Sequence, residues 1–126
     1  MIRGKVIMGV EATIPVVLVD DHGVPWEIDA VIDTGFNSTM TLPHEAIEAI
    51  GLRSLRRETA RLADSQIVET DVFEGRLLWN GEQVLVEISE LEQIPLVGMS
   101  LLQNQRLVMD IIDGGDVTVT PISSAT

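Results

Sequence analysis

Val31-Ile32-Asp33-Thr34-Gly35 is the stretch best suited to chemistry. Two apolar residues lead into an acid, a hydroxyl residue and a glycine. The apolar pair reads as the end of a buried strand, and the turn after it presents the acid. Gly35 lets the backbone turn sharply and leaves space beside the carboxylate. Thr34 can hydrogen-bond locally and stiffen the loop. A positioned carboxylate is suited to proton transfer with water or a carbonyl. Average residue usage yields a bare Asp-Thr-Gly in about one chain of this length in a hundred. The apolar pair in front makes the signature more specific, although the tripeptide alone also fits a strand-to-turn junction with a solvated acid.

Other reactive constellations are weaker. His22 and His44 are the only histidines, and neither has a second histidine at metal-ligand spacing. Both read as solvated. Asp20, Asp21, Asp113 and Asp116 lack the ligand ladder of a calcium loop. A Ser-His-Asp triad has no nucleophile elbow. There is no cysteine, which excludes disulfides, thiolate zinc sites and a cysteine nucleophile. No metal and no cofactor is expected. Ile111-Ile112-Asp113-Gly114-Gly115 superficially repeats the acidic motif, but it lacks the middle hydroxyl and reads as a hairpin turn.

The tripeptide is followed by Phe36-Asn37-Ser38-Thr39-Met40-Thr41-Leu42-Pro43, then by a helical pattern over 44–52. Later comes Pro95-Leu96-Val97-Gly98-Met99-Ser100-Leu101-Leu102. Over about residues 4–119 the chain resembles the retropepsin-like aspartic proteases. It is most similar to a prokaryotic single-domain branch that reads Asp-Thr-Gly-Phe. The resemblance implies an all-β fold: a single-domain closed β-barrel with two short helices over residues 1–122, and a flexible tail at 123–126.

It also implies an aspartic endopeptidase that hydrolyses peptide bonds with an activated water. That mechanism needs two carboxylates sharing a proton, one as general base and one as general acid. The chain has one Asp-Thr-Gly, so the resemblance implies a two-fold homodimer with Asp33 and its symmetry mate as the dyad. Asp33, Thr34 and Gly35 then form the catalytic loop. Thr34 braces it, with a hydroxyl able to bond across the axis, and Gly35 approaches the substrate backbone. Gly98 packs beneath the loop.

The stretch Leu62-Ala63-Asp64-Ser65-Gln66 occupies the place of the family's flap, which closes over substrate and excludes water. Ala63, Asp64 and Ser65 are its substrate-contacting tip, with Phe36, Asn37 and Gly98 completing the substrate site. Three departures stand out. The flap tip has no glycine. Asn37 and Met99 replace the aspartate and arginine that pair in retroviral relatives, so both halves of that pair are absent together. Phe36 replaces a small residue and should narrow the pocket or fill part of the dimer interface. The alternative function is a non-catalytic β-barrel dimer that binds peptides.

The composition is consistent with these readings. With 126 residues, 45% of them hydrophobic, the chain suits one folded domain with one core. A net charge of −12 is the wrong sign for nucleic acid or an anionic membrane, so neither is an expected partner. No run approaches the ~20 apolar residues of a membrane helix. No signal peptide or anchor is apparent, and the cytoplasm is the expected compartment.

The elements that must position the motif are mostly short strands. Residues 5–10 and 13–19 read as strands, with a turn at Asp20-Asp21-His22-Gly23. Residues 26–32 alternate and end at Asp33. After a short extended piece at 40–42, Pro43 opens a helix that Gly51 closes. Residues 53–58 read as a polar loop, and 60–73 as two arms about Asp64-Ser65. Asn80-Gly81 between apolar runs signals a type I′ hairpin. A buried strand at 94–97, a helix at 100–104 and a hairpin of 107–112 with 117–121 follow. Met8, Met40, Met99 and Met109 read as core.

Overall fold

The computed structural model describes residues 1–91 and 93–123. The described residues form ten strands and two short helices, an all-β fold. The strands are β1 (Ile2–Ile7), β2 (Glu11–Val19), β3 (Pro25–Ile32), β4 (Met40–Thr41), β5 (Arg53–Arg61), β6 (Ile67–Trp79), β7 (Glu82–Ser89), β8 (Leu96–Val97), β9 (Gln105–Met109) and β10 (Asp116–Pro121). The helices are α1 (His44–Ile50) and α2 (Met99–Leu102). Their order across the sheet is β5-β6-β7-β4-β8-β3-β2-β1-β10-β9, and β6 also pairs with β2.

Period-two patterning sets which face is buried. Ile14, Val16 and Leu18 of β2 point inward, as do Val72, Leu77 and Trp79 of β6 and Val117 and Val119 of β10. They join Met40, Leu42, Ile88 and Val97 in one core. Pro43 caps α1, and Ile47 and Ile50 dock its apolar face. The Asn80-Gly81 hairpin forms as expected. Both residues have positive φ, 52° and 82°, and Trp79 faces Glu82 across the turn.

Several boundaries differ from the sequence reading. Residues 53–58 are strand, because β5 pairs with β6 from Arg53 opposite Glu74 to Arg61 opposite Ile67. Its side chains are mostly exposed and polar, so no apolar alternation marks it. The backbone ladder and ion pairs such as Arg57 to Asp71, 3.2 Å, hold it instead. The first strand is Ile2–Ile7 rather than 5–10, since residues 8–10 form the turn into β2. The strand at 94–97 shrinks to β8, with Ile94 exposed. The second helix is α2 rather than 100–104. The strand expected over 107–112 ends with β9 at Met109, and Ile111 and Ile112 lie exposed in the loop. Met8 and Met99 are exposed rather than core, whereas Met40 is fully buried. Of the tail expected at 123–126, residues 124–126 lie outside the described residues. No described helix is long and apolar enough to cross a membrane.

Register decides which residues meet at each end of the sheet. Thr13 faces Val31, so the start of β2 lies beside the end of β3. Ile7 faces Glu11, and Lys5 faces Asp116. The 8–10 turn and the 110–115 loop therefore sit at the same end as Asp33. Ile2 and Val119 face each other further along, away from that end.

Candidate active site

Asp33 is positioned by the parallel pairing of β3 with β8, in which Val31 faces Leu96 and Ile32 faces Val97. The Val31 N–H donates to the Pro95 carbonyl and the Asp33 N–H to the Val97 carbonyl, both at 2.9 Å. The strand is thus pinned up to the acid itself. The chain then turns back: the Phe36 N–H donates to the Asp33 carbonyl at 3.1 Å. The Gly35 N–H donates to Asp33 Oδ1 at 2.9 Å, which fixes the plane of the carboxylate. Asp33 is half-buried, while Thr34 and Gly35 are exposed.

Gly98 supports this loop by having no side chain. A Cβ there would lie 2.3 Å from the Ser38 carbonyl oxygen and 2.5 Å from Cδ2 of Phe36. Backbone and ring occupy that space, so the position requires glycine. The following residues clasp the loop. The Gly98 N–H donates to the Thr39 carbonyl (2.9 Å), the Met99 N–H to Phe36 (2.7 Å) and the Ser100 N–H to Ser38 (3.2 Å). The Ser100 hydroxyl donates to the Asn37 carbonyl at 2.7 Å. Phe36 is therefore a packing partner of Gly98 as well as a wall of the site.

Opposite the loop stands the end of the β5–β6 arm. Its tip is a compact turn. The Leu62 N–H donates to the Gln66 carbonyl at 2.8 Å, and the Gln66 N–H to Asp64 Oδ1 at 3.0 Å. Between loop and arm lies a cavity of about 260 Å³, lined by Asp33, Gly35, Phe36, Thr41, Arg61, Leu62, Ala63, Leu91 and Leu96. Another cavity of similar volume lies by Asp21 and Arg76, but that acid is already paired with the arginine at 3.1 Å.

Of the residues singled out from sequence, Asp33, Gly35, Phe36 and Ala63 line the Asp33 cavity. Thr34, Asn37, Asp64 and Ser65 are exposed and do not line it. Gly98 lies beneath. Sequence reasoning placed Leu62 in the flap stretch but not at the cavity, and missed Arg61, Thr41, Leu91 and Leu96 as walls and the bracing role of Ser100. Arg61 adjoins that stretch and could have been found by extending it one residue. Thr41 gave no signal. It is a fully buried polar residue whose hydroxyl donates to the Ile94 carbonyl and accepts from the Leu96 N–H, both 3.1 Å. That bond pair stitches β4 to the segment entering β8.

The walls are largely apolar, with one acid and one base, Asp33 and Arg61. Next to Leu91, Glu90 binds His44: Nδ1 lies 2.7 Å from Glu90 Oε1, and Nε2 lies 3.1 Å from Glu48 Oε1. The Glu90 hydrogen bond, then the charge of Glu48, raise the imidazole above its ordinary value. His44 is thus held between two carboxylates rather than simply solvated. Among the described residues no three His, Asp or Glu side chains gather as metal ligands.

Such a site can orient one carboxylate toward a partly enclosed, mostly apolar space. No protein-family model matches the chain, and no curated protein and no solved structure matches it either.

Proposed function

We propose that this chain is a retropepsin-like aspartic endopeptidase that works as a two-fold homodimer. The observation that carries the reading is the Asp33 carboxylate, oriented by the Gly35 N–H and facing the flap-like arm across the cavity. The pairings run β6-β7-β4-β8-β3-β2 and return to β6, which supports a closed barrel. The clasp of Gly98 and Ser100 supports a loop rigid enough to hold a catalytic acid.

In the dimer, Asp33 and its symmetry mate share one proton and bind a water between them. The ionised carboxylate takes a proton from the water as it attacks the peptide carbonyl. The protonated one donates to the carbonyl oxygen, giving a tetrahedral diol. Collapse returns a proton to the leaving amine. Gly35, without a side chain, admits the substrate backbone. Leu62 and Ala63 close over it and exclude water. The exposed Thr34 braces the pair across the axis.

A second reading, a dimer that binds peptides without cutting them, is favoured by the tip residues Asp64 and Ser65, which do not line the cavity. A peptide digest with wild type and Asp33→Asn separates the two. The amide is nearly isosteric but cannot act as a base, so cleavage should fall by at least about 10²-fold with fold and dimer retained. Equal cleavage by both proteins would remove Asp33 from the mechanism. Retention of uncut peptides by both would favour the binder.

A further inference from the structure

We propose that a second copy of this chain docks on an apolar apron formed by Met8 and Val10 of the 8–10 turn and by Ile111 and Ile112 of the 110–115 loop, beside Asp33. This rests on the homodimeric reading above and names the surface that would build the dyad.

Met8 and Val10 are the most exposed large apolar residues described, at 81% and 80%. Ile111 and Ile112, at 60% and 66%, join them from the adjoining loop. The two loops are fastened together. The Met8 N–H donates to Asp113 Oδ1 at 3.0 Å, and the Gly114 N–H donates to the Val6 carbonyl at 2.8 Å. The patch is therefore preformed, and docking needs little ordering.

Met8 is an unfavourable residue for its backbone. Its φ is +54°, followed by Gly9 at +71°. Asn, Asp or Gly would adopt that left-handed conformation with less strain. A large apolar side chain thus stands at a position where both backbone and solvent favour something else. Broken local rules of this kind mark positions kept for a use outside the local fold.

Two facts select a second copy as the occupant. First, a single Asp33 is half of the required dyad, and register places the apron at the Asp33 end. β3, β2, β1 and β10 lie side by side, so the apron extends about 15 Å from the acid at ~4.8 Å per strand. A standard interface of about 800 Å² per partner has a radius near ~16 Å, enough to hold both Asp33 and the apron. Rotation about an axis at Asp33 carries one copy's 8–10 turn toward the β8 side of the other, where Met99 is exposed. Second, each copy carries a net charge of −12, so like copies repel over most surfaces. Met8, Gly9, Val10, Ile111 and Ile112 carry no charge themselves; Glu11, Asp110 and Asp113 border them, and Asp113 Oδ1 is engaged by the Met8 N–H.

The test is sedimentation of the full chain at micromolar concentration, with cleavage followed in parallel. Met8→Asp with Ile111→Asp should raise the dimer dissociation constant about a hundredfold or more, because each change appears twice in the interface. Both positions are exposed, and aspartate suits the Met8 backbone, so the fold should persist by circular dichroism. Cleavage should fall at low protein concentration and recover at high. Val108→Asp, on the outer strand β9, should leave dimerisation unchanged. A dimer that persists in the double variant would overturn the docking face and leave the dyad standing. Dissociation with undiminished cleavage would support the face and overturn the dyad. Dissociation by Val108→Asp alone would move the interface to the β9 edge. A wild type that stays monomeric would overturn both.

Discussion

β6 runs for thirteen residues and serves two hairpins. Its second half pairs with β7 around Asn80-Gly81, and its first half with β5 around the 62–66 turn. In the inner hairpin Leu77, Trp79, Val86 and Ile88 are buried, and β2 pairs with the same stretch of β6. In the outer arm Thr59, Arg61, Ile67 and Glu69 are exposed, and Ala60 and Val68 are only half-buried. One strand is thus core at one end and a lever at the other. Local opening should cost far less in the arm, where few apolar contacts are lost and the backbone bonds already face water. The proposed function needs that property in an arm that closes over substrate, and its opposite in the strands that pack the core.

The sharpest way to break this contrast is to delete apolar atoms in each half. Leu77→Ala should cost about 2–5 kcal/mol, because it leaves a cavity in the packed core. Ile67→Ala should change stability by less than about 0.5 kcal/mol. Urea unfolding followed by circular dichroism measures both. An Ile67→Ala cost comparable to that of Leu77→Ala would mean the arm packs on something and is no flap.

The two turns provide a smaller and more local comparison. Gly81 has φ +82°, so Gly81→Ala should cost about 1–2 kcal/mol. Ser65 has φ +70°, a conformation serine adopts poorly. Ser65→Gly should be stabilising by about 1 kcal/mol or less, and should place at the tip a glycine of the kind that retroviral flaps carry. Thermal unfolding gives the signs. A loss of stability on Ser65→Gly would mean the serine side chain holds the tip through contacts of its own.

The same contrast explains what could be read from the sequence. The inner hairpin was legible because Asn-Gly and period-two burial are local signals. The Asp33 loop was legible because its residue types are unusual together, and Gly98 because the resemblance supplied it. Most of strand β5, residues 53–59, was not legible. Its side chains show no apolar face, so no period-two signal marks it. The Met8 turn was misread because methionine is rare at positive φ, so pattern reading extended the strand through it. Arg61 and Leu91 were missed as cavity walls because only the three-dimensional meeting of arm and loop brings them to Asp33.

The smallest expected effect is a pH dependence that separates the β7 side from the arm. The arm's ion pairs, Arg57 with Asp71 and Glu69, contain no histidine. Past β7, the segment at Glu90 is tied to α1 through His44, whose imidazole is raised above 6.5 by the Glu90 hydrogen bond and then by Glu48. A raised folded value means that the protonated form is favoured by folding. The contribution is therefore fully present below 6.5 and is lost as the pH climbs through the folded value. His44 is more than half exposed, so water and salt screen the interaction and the effect is small. His44→Gln should lower Tm most near pH 6 and hardly at all in alkaline solution, with added salt shrinking the difference. Arg57→Gln should lower Tm by a constant small amount over the same range. A His44→Gln penalty that grew with rising pH would mean that the neutral imidazole, through packing or a neutral hydrogen bond, holds the Glu90 segment beside the cavity.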